Sequence, residues 1–187
     1  MSRSTAFAVG LFLTFTSSGF PKPAIAEDVP PSKHTEKAPD LRGVFLTQSP
    51  RNLGIVPTQE HPRVWAVLMD MGYAEGSATL LAAVDGTVSI YTSMGGGIIG
   101  AGEHPSVRQQ AMKFISTAEQ LLDEFQRTTE YPRPAPGRTR FYLRTFSGTF
   151  TGDFDEHALS EGHHKLSKLY AAGQDVISEI RRKAPSL

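Results

Sequence analysis

The run Val64-Trp65-Ala66-Val67-Leu68-Met69 constrains this chain more than any other stretch. Six apolar residues in succession cannot alternate between core and solvent. They read as a strand covered on both faces, because a half-exposed strand shows a two-residue alternation. Gly72 and Gly76 then supply turn signals. Residues 77–84 and 87–92 are β-type runs on either side of Asp85-Gly86. That pair predicts a hairpin with a two-residue turn, both positions at positive φ. Three strands in series read as an antiparallel meander.

The rest of the chain supplies what must cover that strand. Residues 94–102 (MGGGIIGAG) form a glycine-rich loop, and Pro105 fits the first turn of a helix. Val107, Ala111, Phe114, Ala118, Leu121, Leu122 and Phe125 recur at three- and four-residue steps, with Gln109, Lys113 and Gln120 opposite. This is one buried stripe on an amphipathic helix. Residues 131–137 (YPRPAPG) make a stiff connector. Residues 139–146 read as a strand, which Ser147-Gly148 turns into another over 149–154. A last helix carries Leu166, Leu169, Tyr170, Val176, Ile177 and Ile180 on one side, with Arg181, Arg182 and Lys183 at its negative end.

The order β-β-β-α-β-β-α predicts an α+β domain over 41–187, with about five mostly antiparallel strands and two amphipathic helices packed on the sheet. The helices most simply cover one face. The other face is either partly open or covered by residues 41–60, where Ser49-Pro50 starts a short helical turn.

The N-terminus reads as a signal peptide over 1–26. Arg3 is the positive start, residues 5–15 are uncharged and largely apolar, and Ala24-Ile25-Ala26 is a small-residue cleavage site. The apolar run is short for a bilayer span of about 20 residues. Cleavage after Ala26 implies a secreted or periplasmic protein with no stable membrane anchor; the alternative is an N-terminally anchored one. Residues 27–40 (EDVPPSKHTEKAPD) read as a disordered linker. The chain has no cysteine among its 187 residues, which excludes disulfides, thiolate metal sites, a Cys nucleophile and a lipid-modified cysteine. Nineteen basic residues balance nineteen acidic ones, which argues against nucleic acid as a partner. The balance is uneven: residues 63–104 hold one basic and four acidic residues, a local charge of −3.

Two resemblances follow. The element order and size are similar to the roadblock and profilin-like group of folds. The stretch HPRVWAVLMDMGY with GGGIIGAGEH, and the C-terminal stretch 160–177, resembles small bacterial proteins of unassigned function. The first implies an architecture, the second a bacterial origin.

Several residues are candidates for chemistry. Gly95, Gly97 and Gly100 match G-x-G-x-x-G. A dinucleotide site needs a parallel βαβ unit and a helix opening inside the motif, and here the helix opens too late. The same stretch still offers a ligand-binding set of Gly95, Gly97, Gly100, Gly102, Glu103, His104 and Arg108, with small-anion binding through loop amides as one reading. Asp153, Asp155, Glu156, His157, Glu161, His163 and His164 form an acid–histidine cluster. Asp155, His157 and His163 are its candidate ligands for Zn²⁺ or Mn²⁺, although the spacing fits no established motif. Asp70 and Glu75 are carboxylates near the end of the first strand. No catalytic constellation emerges, and no cofactor is required. The function expected is an exported, non-enzymatic binding or interaction domain for a protein or small molecule. Its contact would lie on an open sheet face or a groove edged by the glycine loop. The alternatives are a periplasmic metal-dependent hydrolase built on the 153–164 cluster, and small-anion binding at residues 95–104.

Overall fold

The computed structural model describes residues 41–183; the expected signal segment 1–26 and linker 27–40 lie outside the described residues. The apolar run becomes β1 (Val64–Tyr73), buried along its length until the exposed Tyr73. It is followed by β2 (Gly76–Ala83), β3 (Val88–Thr92), β4 (Gly97–Ile98), β5 (Gln126–Thr128), β6 (Arg138–Thr145) and β7 (Gly148–Asp155). All pair antiparallel in one sheet of order β4-β3-β2-β1-β6-β7-β5, so the most apolar strand is the middle one. The α+β class holds, and the expected meander is β1-β2-β3.

Seven strands replace the expected five or so. The two additions are edge strands of two and three residues, too short to show a period. One lies inside the glycine-rich stretch and pairs with β3; the other forms where the chain leaves the first long helix and pairs with β7. The Asp85-Gly86 turn also differs from expectation. Only Gly86 has positive φ, at 91°. Gly86 N–H donates to Ala83 O at 3.0 Å, and Asp85 Oδ1 accepts the Thr87 N–H at 2.9 Å. The aspartate side chain holds its own turn, so only the glycine enters the left-handed region, as in a three-residue hairpin loop.

One sheet face carries α2 (Pro105–Leu121) and α4 (Ser167–Lys183). Val67, Met69 and Met71 of β1, Leu80 of β2 and Phe141 and Leu143 of β6 point to it. They meet Val107, Ala111, Phe114 and Ala118 of α2 and Leu169, Val176, Ile177 and Ile180 of α4. Glu119 ties α2 to the start of β1, accepting the N–H groups of Arg63 and Val64 at 3.2 and 2.7 Å.

The opposite face is covered in part by α1 (Leu41–Thr47) and the 3₁₀ turn Pro50–Leu53. Leu46 packs on Leu68, Leu81 and Tyr142; Ile55 packs with Trp65, Ala66 and Ala83. A β-bulge between Val64 and Ala66 turns Trp65 to this side, where its Nε1 donates to Thr145 O at 3.2 Å. The Arg144 guanidinium lies 5.2 Å from the Trp65 ring centre. Pro50 does begin the short helical turn, with Ser49 at its cap position, but the serine side chain makes no capping bond.

A buried ion pair fastens this layer. Asp70, inside β1 rather than after it, is 0% exposed, and Arg42 of α1 is 5% exposed. Arg42 Nε donates to Asp70 Oδ2 at 2.7 Å, and Thr79 Oγ1 donates to Asp70 Oδ1 at 2.7 Å. The Arg42 fork also donates to Tyr131 O and Pro132 O at 3.0 and 3.1 Å, and stacks 5.2 Å from the Tyr142 ring centre. One side chain therefore joins α1, the sheet and the proline-rich connector. Glu75 is exposed in the β1–β2 turn and is not part of this arrangement.

Burial pushes the Asp70 carboxyl above the ordinary carboxylate range, while Arg42 and Thr79 hold it back. A raised folded-state value means that the native chain holds this proton more tightly. The contribution of Asp70 to stability is full below about pH 4 and is lost as pH rises through the raised value. Equilibrium unfolding checks both points. Arg42→Met is expected to cost about 3–5 kcal/mol by stranding a buried carboxylate. Arg42→Met with Asp70→Asn is expected to cost less than Arg42→Met alone, and Asp70→Asn to remove the stability loss that sets in as pH rises above about 4. A double variant as unstable as the single one would contradict the assignment.

Candidate functional site

The layer formed by α1 stops short of the sheet edge. β2 and β3 continue past it, and the chain after β4 rises beside them through the 3₁₀ turn Ala101–Glu103. Between these walls lies an open groove of about 470 Å³. Leu81, Ser89 and Tyr91 line its floor, and Leu41 and Phe45 its α1 side. The opposite rim is built from Asp85, Gly86 and Thr87 of the hairpin turn and from Ile99, Gly100, Gly102, Glu103 and Arg108. Ile99 is 70% exposed there.

Two turns meet at the charged end of the groove. A Cβ on Gly102 would lie 1.8 Å from Gly86 O, so the two backbones touch only because residue 102 is glycine. Arg108, one turn into α2, lies over this junction and donates from Nε to Gly102 O at 3.0 Å. It forms no ion pair with Asp85 or Glu103, although both carboxylates line the same rim. On the floor, Ser89 is 3% exposed, and its Oγ has no hydrogen-bond partner among the described residues. The oxygen is not sealed off and faces the groove.

Four of the seven ligand-binding candidates therefore come together: Gly100, Gly102, Glu103 and Arg108. The other three sit elsewhere. Gly95 is in the β3–β4 turn, where its N–H donates to Thr92 O at 3.2 Å; Gly97 is in β4 opposite Tyr91. His104 is exposed at the start of α2 and makes no side-chain cap. The N–H groups of Glu103 and His104 donate to Gly100 O and Ala101 O at 3.1 and 3.2 Å, closing the 3₁₀ turn. Leu41, Phe45, Leu81, Asp85, Ser89 and Tyr91 were not among the sequence candidates. One signal was present: Ser89 and Tyr91 alternate with Val88 and Ile90, which places two polar-bearing side chains on one strand face.

The acid–histidine cluster is dispersed among structural duties. Asp153 of β7 pairs with Arg138 and Arg140 of β6. Asp155 caps α3 (Glu156–Ser160), accepting the Ala158 N–H at 2.9 Å. Exposed His157 lies 3.4 Å from Glu161 one turn on, and His163 is exposed. His164 Nδ1 accepts the Leu166 N–H at 3.1 Å and packs 5.2 Å from the Phe154 ring. Glu156 accepts the Tyr170 hydroxyl at 2.8 Å. Burial, then that bond and the Glu156 charge, push the Tyr170 hydroxyl up to about 12. Among the described residues no three His, Cys, Asp or Glu side chains gather as a metal site requires, so Asp155, His157 and His163 are not brought together. No helix among them is long and apolar enough to cross a membrane.

Comparisons with protein-family models, curated proteins and solved structures found no match. The Gly86–Gly102 contact gives the site a direct test. Gly102→Ala is expected to lower unfolding stability by about 1–3 kcal/mol through overpacking and to move the NMR amide signals of Gly86 and Ser89. Unchanged stability with an unmoved Gly86 signal would contradict the contact.

Proposed function

We propose that this chain is an exported, non-enzymatic binding domain whose contact is made in the groove between α1, the β2–β3 hairpin and the 99–103 loop. The observation that carries this reading is the groove's composition: an apolar floor, a serine hydroxyl that opens on the groove without a protein partner, and a rim with three charged side chains. Ligand sites combine a concave apolar surface with a few placed polar groups, commonly in volumes of about 300–1,000 Å³. The groove has that make-up. Its ligand is a small molecule or one side chain of a protein partner. The groove rim carries Asp85 and Glu103 against one Arg108, a net negative set that disfavours nucleic acid and anionic lipid there.

Export, to the periplasm or outside the cell, is supported by the order of Arg3, the apolar run and Ala24-Ile25-Ala26. The lack of cysteine suits either compartment, since its folding depends on no disulfide.

Two-dimensional amide NMR of the purified full-length chain with a panel of neutral apolar fragments tests the site. Hits are expected to move the signals of Leu81, Ser89, Tyr91 and Gly100. Fragments that bind only in the other surface cleft, between α2 and α4 near Gln109, Lys113 and Lys168, would contradict it.

A further inference from the structure

We propose that the groove recognises a zwitterion: a free α-amino acid with a large apolar side chain, such as phenylalanine or leucine. The inference rests on the binding reading above and names its ligand class.

Three charges share one end of the groove. Arg108 Nε lies 3.0 Å from Gly102 O and 3.0 Å from where a Cβ on Gly86 would stand. Asp85 precedes Gly86 and Glu103 follows Gly102, and both residues line the same groove as Arg108. All three side chains are exposed. Here the guanidinium turns its Nε to a carbonyl, and no pair forms with either acid. One carboxylate oxygen of Asp85 is used by its own turn, accepting from Thr87 N–H at 2.9 Å, and Glu103 is exposed with no partner among the described residues. The set is one open cation beside two open anions.

A simple anion would meet two carboxylates, and a simple cation would meet the arginine. A ligand with an ammonium and a carboxylate on one carbon satisfies all three. Its carboxylate accepts the paired N–H groups of the Arg108 fork, a geometry suited to planar carboxylates. Its ammonium donates to Asp85 and Glu103. Ser89 sits three residues beyond Gly86, directly opposite Leu81 in the β2–β3 register. Its hydroxyl faces the groove and can donate or accept, so either end of the zwitterion can bond to it. Beyond it Leu81, Tyr91, Phe45 and Leu41 offer an apolar bed for the side chain.

The test uses amide NMR and calorimetry on the full-length chain with three probes: phenylalanine, phenylalaninamide, which keeps only the positive charge, and N-acetylphenylalanine, which keeps only the negative. Phenylalanine is expected to move Ser89, Leu81 and Gly102 and to bind about tenfold or more tighter than either analogue, the scale of one charge-assisted hydrogen bond. Arg108→Gln is expected to weaken phenylalanine to the level of phenylalaninamide. Glu103→Gln, at an exposed position, is expected to weaken phenylalanine and phenylalaninamide and leave N-acetylphenylalanine unchanged. Phenylalaninamide binding as tightly as phenylalanine overturns the zwitterion assignment. If neutral fragments move the groove signals and phenylalanine does not, the ligand class falls and the groove stands. If neither moves them, both fall.

Discussion

The contact between Arg42 and Asp70 decides the shape of this molecule. A carboxylate at the centre of a sheet, with no exposed surface, is expensive unless a cation and further hydrogen bonds satisfy it. Arg42 and Thr79 do so, and Arg42 must come from outside the sheet. Its position commits α1 to lie across β1 and β2, and its remaining donors commit the 131–132 connector backbone to lie alongside. An apolar residue at position 70 would let α1 slide over a greasy surface. The ion pair gives it one register.

That register leaves the groove. α1 covers Leu68 and much of Leu81 with Leu46, and its Leu41 and Phe45 become a wall rather than a lid. β2 and β3 extend beyond it, and the Gly86–Gly102 contact brings the 99–103 loop up as the other wall. The acidic surplus that stands out in residues 63–104 resolves into distinct roles. Asp70 is buried structure, Asp85 and Glu103 edge the groove, and Glu75 is in an exposed turn. The charge that a partner meets at the groove is thus two carboxylates beside one arginine.

Much of the fold was legible because period and run length are local properties. The six-residue apolar run, the α2 stripe and the α4 stripe each state their burial directly. β4 and β5 were not legible, since two or three residues show no period and form only because a neighbouring strand offers an edge. The partner of Asp70 lies 28 residues away in a short helix, and no local signal links the two. The candidate site was half legible. The glycine-rich stretch drew attention to Gly100, Gly102, Glu103 and Arg108, but the floor comes from β2 and β3, which read only as two β-type runs of a hairpin. Dense acids and histidines at 153–164 suggested a metal centre. The β6–β7 register instead sets Arg140 opposite Asp153, and the start of α3 takes Asp155 as its cap.

Amide hydrogen exchange on the native chain and on Arg42→Met tests the central claim most directly, because it reports the hold on α1 separately from the sheet. In the variant, the amides of Phe45, Leu46 and Thr47 are expected to lose protection while those of β1, β2 and β6 keep theirs. Unchanged protection in α1, or a loss spread evenly over α1 and the sheet, would contradict the account of Arg42 as the fastening that places this helix and so shapes the groove.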